Sequence, residues 1–178
     1  MTTAPQTYRP AQITLHWVVF GAIWVQWLFN EPMKQTVAAI QTGASPASSD
    51  LIMAWVHVGF GTTILLATLA RLYLRYRFGT PRHAPGTSHM QAKIAEWMHR
   101  ALYATLIVMA LTGGLTWNGV ADLSYVHWAL NILLFALISV HAAAALFNQF
   151  IRKDGTLRRM IPSRKNHKSV LSLSETGK

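Results

Sequence analysis

Four long apolar stretches, at residues 13–29, 51–74, 97–117 and 125–150, dominate the chain. Each approaches the roughly 20 residues that an α-helix needs to cross about 30 Å of hydrocarbon. Charge enters them only near their ends, as at Arg71 and Arg100, and residues 62–70 and 101–116 carry none on any face. A soluble four-helix bundle also has four apolar segments, but each of its helices shows water a charged face at every turn. The pattern therefore predicts an all-α membrane protein, a bundle of four transmembrane helices. Composition agrees, because 52% of the 178 residues are hydrophobic and only 12% charged, about half the charged share of an ordinary soluble domain.

The few charges are lopsided, 16 Lys and Arg against 6 Asp and Glu, for a formal net charge of +10. Their placement explains the excess. Arg71, Arg75, Arg77, Arg82, Lys93 and Arg100 cluster between the second and third spans, and Arg152, Lys153, Arg158, Arg159, Arg164, Lys165 and Lys168 follow the fourth. The loops at the other end, 30–50 and 118–124, hold only Lys34, beside Glu31, Asp50 and Asp122. By the positive-inside rule both termini face the cytoplasm and the two poorly basic loops face out. The charge is thus a topology signal that also suits anionic lipid headgroups, and no nucleic-acid partner is needed to account for it.

No cysteine is present, which excludes a disulfide scaffold, a Cys-ligated zinc site, an iron–sulfur cluster, covalently attached haem and a cysteine nucleophile. The first apolar run is long for a secretory signal and follows a segment whose one charge is Arg9, so it reads as a span. Residues 79–88, with Pro81, Pro85 and Gly86, read as a cytoplasmic loop. Residues 1–162 form one four-helix domain, and 163–178 a flexible basic tail.

Polar side chains inside spans are costly without partners and therefore informative. His16 lies near the cytoplasmic start of the first span, His57 near the outer start of the second, His99 near the cytoplasmic start of the third, and His127 and His141 both lie on the fourth. His83, His89 and His167 fall in loop or tail. Fourteen residues rise roughly 21 Å and return to within about 40° of the same helix face, so His127 and His141 point the same way at opposite depths. A low-spin b-type haem takes one neutral imidazole on each side of its plane, at one depth and from different helices. At the outer depth only His57 can partner His127; at the inner depth His16 and His99 compete for His141. The alternative for each imidazole alone is a structural hydrogen bond, but four at matched depths favour two haem b.

Small residues leave room for a macrocycle beside these positions: Gly59 and Gly61 after His57, and Ala142 to Ala145 after His141. In spans such residues also mediate helix packing, the reading given to Gly113 and Gly114. Arg71 and Arg75, four apart on one helical face, are candidates for pairing with haem propionates or for anchoring topology. The seven tryptophans mostly lie near span ends, as an interfacial belt does. No phosphate-cradling loop, hydrolase elbow or pair of carboxylates within a span is present.

The residues Leu15-His16-Trp17, His57-Val58-Gly59, Ala95-Glu96-Trp97-Met98-His99 with Leu102-Tyr103, His141 to Leu146, and the closing 153–162 segment resemble, in order, the bacterial cytochrome b561 family. The resemblance covers about residues 10–162. It implies a di-haem b-type cytochrome that moves electrons between a donor and the quinone pool, ubiquinone or another quinone. It also implies that His16 and His141 hold the inner haem and His57 and His127 the outer, leaving His99 as a candidate quinone or proton site. Here the outer connection before the last span is short, and Asn148 and Gln149 stand where some members have histidines. Superoxide, oxidised by some relatives, and a soluble periplasmic electron carrier are then candidate donors. Two other readings of the same residues are a membrane-anchor cytochrome subunit that binds a larger dehydrogenase or hydrogenase, and a His-lined ion transporter.

Overall fold

The structure, a computed structural model, describes residues 7–28, 30–84 and 86–161. Five α-helices follow one another: α1 (Pro10–Leu28), α2 (Asn30–Gln41), α3 (Ser48–Phe78), α4 (His89–Trp117) and α5 (Ser124–Phe150), with a short 3-10 turn at Leu157–Met160. α1, α3, α4 and α5 are long and apolar enough to cross a membrane. The tail expected at 163–178 lies outside the described residues.

The packing is that of a protein whose solvent is hydrocarbon. Val19, Ala22 and Ile23 of α1, Ile64 and Ala67 of α3, Leu106 of α4 and Leu134 of α5 make a small common core. Gln12, Gln26, Thr68, Thr105 and Thr112 are also buried, while large apolar side chains such as Leu66, Ile132 and Phe135 face outward. Apolar residues outside and polar ones within is the arrangement lipid favours.

Local chemistry sets the helix ends. Ser88 and Gln91 form a reciprocal capping box, with the Gln91 N–H donating to Ser88 Oγ at 3.3 Å and the Ser88 N–H to Gln91 Oε1 at 3.0 Å. This starts α4 at His89, eight residues before the apolar run. α3 ends where Gly79 takes φ 71°, a left-handed value that suits glycine, and its N–H returns to the Arg75 carbonyl at 2.9 Å.

One element departs from expectation. Residues 30–41, read as loop, form α2, which packs on α3. Its Pro32 sits in the first turn, where a missing N–H costs nothing, and Met33, Thr36 and Val37 turn inward while Glu31, Lys34 and Gln35 stay exposed. A short helix with one partly apolar stripe does not register as an apolar run.

At the basic end the last described segment straps across the bundle. Trp17 Nε1 donates to the Met160 carbonyl at 2.7 Å, Arg159 Nη1 to the Arg82 carbonyl at 2.8 Å, and Arg152 to Gln91 Oε1 at 2.9 Å and the Gly86 carbonyl at 3.1 Å. Among the spanning helices, backbones approach closely between α1 and α3, α3 and α4, and α4 and α5. α5 has no comparable approach to α1 or α3 among the described residues, and the gap is crossed by side chains.

Candidate functional site

The side chains that cross the gap are chiefly imidazoles. Toward the poorly basic end, His57 of α3 faces His127 of α5 with ring centres 6.4 Å apart. Toward the basic end, His16 of α1 faces His141 of α5, also at 6.4 Å. All four are half-buried. Metal–imidazole bonds of about 2.0 Å on opposite sides of one ion, with about 1.1 Å more from each nitrogen to its ring centre, give roughly 6.2 Å between ring centres. Both pairs therefore stand at a separation at which two imidazoles could hold one ion between them.

His99 of α4 is placed differently. Its ring meets His141 edge-on at 5.3 Å, too close for an ion bonded to the two rings on opposite sides, and its Nδ1 donates to the Ala95 carbonyl at 2.7 Å. Of the two inner candidates left open by the residue pattern, His16 thus has the ligand spacing and His99 has a packing contact.

The partners of the His127 ring come from α4. Its Nδ1 lies 2.9 Å from the Met109 carbonyl and 3.4 Å from Thr112 Oγ1. A carbonyl only accepts, so Nδ1 carries the hydrogen and Nε2 keeps its lone pair for a metal. Gly113 permits this approach, because a Cβ there would meet His127 Cε1 at 2.9 Å and Nδ1 at 3.1 Å. In the sequence alone Gly113 reads as a packing glycine. The signal for its role is that a short turn near residue 120 places positions about equally distant on either side opposite each other, 113 against 127.

The remaining candidates take the following places. Arg71 Nη1 donates to His16 Nδ1 at 2.9 Å, and its Cζ stands 5.8 Å from the Tyr103 ring centre. Arg71, Arg75, His99 and Tyr103 line a cleft at the basic end together with Tyr8 and Met160. Burial pushes the Tyr8 phenol up, opposed by the nearby Arg75 charge, so it stays a neutral hydrogen-bond donor at physiological pH. Gly61 faces the amide of Gln26, where a Cβ would meet Nε2 at 3.2 Å, whereas a Cβ at Gly59 would meet nothing within 4 Å. Ala142 to Ala144 are exposed on α5.

The donor set fits haem. Among the described residues no three His, Cys, Asp or Glu side chains converge to hold a bare metal ion. Paired imidazoles alone leave an octahedral ion four ligands short, and a porphyrin supplies four in one plane.

Comparison with known proteins agrees with this chemistry. The family model for prokaryotic cytochrome b561 matches residues 7–163. A cytochrome b562 of Cereibacter sphaeroides is 33% identical over 92% of this chain and 100% of its own length. Cytochrome b561 homolog 1 of Escherichia coli strain K12 is 32% identical over 89% of this chain and 98% of its own. A probable superoxide oxidase CybB of Yersinia pestis is 27% identical over 89% and 97%. With four membrane-length helices and a match over nearly all described residues, the chain belongs to the prokaryotic cytochrome b561 family and is a multi-pass bacterial membrane cytochrome that transfers electrons.

Proposed function

We propose that the protein carries electrons through two haem b, the outer held by His57 and His127 and the inner by His16 and His141, from a donor on the outer side of the inner membrane to quinone at the cytoplasmic, basic end. The observation that carries this reading is the equal 6.4 Å spacing of two imidazole pairs, both completed by α5. Bound haem b supplies one-electron exchange between ferric and ferrous iron.

What the chain's residues do is hold, orient and pair. His127 is locked by Met109 and Gly113. His16 has its Nδ1 engaged by Arg71, and because arginine only donates, a neutral His16 carries its hydrogen on Nε2 in that arrangement. To hold haem through Nε2, His16 would carry its hydrogen on Nδ1, and the Arg71 guanidinium would turn elsewhere. Haem carboxylates are the natural target for Arg71 and for Arg75 one turn along.

His99 touches His141 and also lines the basic-end cleft. A quinone headgroup in that cleft meets the Tyr8 and Tyr103 hydroxyls as hydrogen-bond donors and lies one imidazole from the inner ligand pair. His99→Ala is expected to leave two haems per chain and to slow quinone reduction by about 100- to 10,000-fold, the range for loss of one general acid–base group. Haem loss in this variant would reassign His99 as a ligand. Superoxide, the substrate named for the Yersinia pestis relative, is the first donor to try; giving up one electron leaves dioxygen. In proteoliposomes with the basic end inward, donor added outside reduces trapped acceptor inside, and a chain that passes no electrons across the bilayer contradicts the proposal.

Gly113→Val tests the outer pocket. A side chain at 113 displaces the His127 ring and breaks its bond to Met109, so outer-haem affinity falls about 10- to 100-fold. Haemochrome content of the purified variant reads this directly.

A further inference from the structure

Gln26 of α1 is buried, 9% exposed, among the apolar residues of its helix. Its Nε2 donates to the His57 carbonyl at 3.0 Å, which fixes which end of the amide is nitrogen. Gly61, one turn beyond His57, makes room for that nitrogen at 3.2 Å. At the other end Oε1 is buried with no partner among the described residues, and so is Nδ1 of His57. Gln12, fourteen residues earlier on the same helix, has both ends met, by the Gly79 carbonyl at 3.2 Å and the Arg9 N–H at 3.0 Å. Buried polar atoms are rarely left unmet. Here an atom that can only accept and an atom that can donate are unmet on two residues already bonded to each other.

We propose that Gln26 is the positioning residue of His57: its Oε1 accepts the His57 Nδ1–H, directly or through one buried water. Two polar partners are the least such a water needs, and these two atoms supply them. The hydrogen on Nδ1 leaves the Nε2 lone pair free to coordinate. His127 receives the same setting from the Met109 carbonyl. Both outer ligands are then fixed in one tautomer, His127 by backbone and His57 by a side chain of α1. The inference rests on the haem reading above.

The test is a potentiometric titration of holoprotein for the wild type, Gln26→Leu and Gln26→Glu, with haem per chain counted and the ferric low-spin EPR spectrum recorded. Leucine removes the acceptor, so His57 becomes a less basic ligand and ferric iron loses more than ferrous. The outer potential rises, by up to about tenfold in the reduction equilibrium, about 59 mV for one electron. Glutamate offers a stronger acceptor, so the outer potential falls and the EPR g-values spread in the opposite sense. The inner haem stays put in both variants. A packing role for Gln26 moves both variants in one direction or neither. Two retained haems with unmoved outer potential and g-values, or shifts of the same sign, overturn the proposal. If the leucine variant does not fold, Gln26→Met, equally long and without an acceptor, takes its place under the same criteria. A wild-type protein without two haems overturns the haem reading and this proposal together, whereas two wild-type haems with unmoved variants overturn this proposal alone.

Discussion

His127→Ala is expected to cut the haem content from two per chain to one. The substitution removes one of two ligands across a 6.4 Å span, and leaves His57 facing a cavity. His57→Ala should do the same from the other side, because neither ring has a substitute: among the described residues no other histidine lies toward that end of the bundle. Removing a partner one shell out from a metal typically weakens binding 10- to 100-fold, so loss of a ligand itself should exceed about 100-fold. Electron passage across the bilayer falls with it, since one of two relay positions is gone. His83→Ala, in an exposed loop, is the control and should retain both haems. Either ligand variant keeping two haems per chain would refute the outer pairing.

The second large effect separates His16 from His99. His16→Ala is expected to remove the inner haem and leave the outer one spectroscopically unchanged, while His99→Ala keeps both. The two rings lie at the same depth and both approach His141, but at 6.4 Å and 5.3 Å. Only the wider spacing admits an ion with a bond to each side, and the closer contact is an edge-on packing of rings. Haemochrome quantitation with EPR of the remaining ferric haem distinguishes the cases. A protein that loses its inner haem on His99→Ala and keeps it on His16→Ala would reverse the assignment.

That discrimination shows what a sequence can and cannot carry for this fold. Depth is legible: with a fixed rise per residue and apolar runs that mark the hydrocarbon, the height of each imidazole follows from its position. The four spans and the matched depths of His57 with His127 and His16 with His141 were accessible that way. Azimuth is not legible, because the order of helices around a bundle depends on packing between segments, and His16 and His99 could not be told apart by height. The same limit governs the glycines. By spacing Gly61 reads as room for a macrocycle because it shares a face with His57, yet the structure turns it to Gln26. Gly113, which admits His127, reads by spacing as an ordinary packing residue. α2 escaped for a different reason: its inward face is Met33, Thr36 and Val37, too short and too mixed to stand out from a polar connection. Arg71 was placed at the right end of its helix, but its bond to His16 Nδ1 is a contact between helices that no local pattern encodes.

Family membership and the membrane fold do not depend on the count of haems, whereas the route of the electron does. The most direct test is a visible spectrum of detergent-purified protein, oxidised and dithionite-reduced, with haem per chain measured as the pyridine haemochrome. Two low-spin b haems per chain are the result expected from two imidazole pairs. One haem per chain, or none in cells supplied with excess haem, contradicts a two-haem path and would leave one or both of the 6.4 Å pairs without the role assigned to them here.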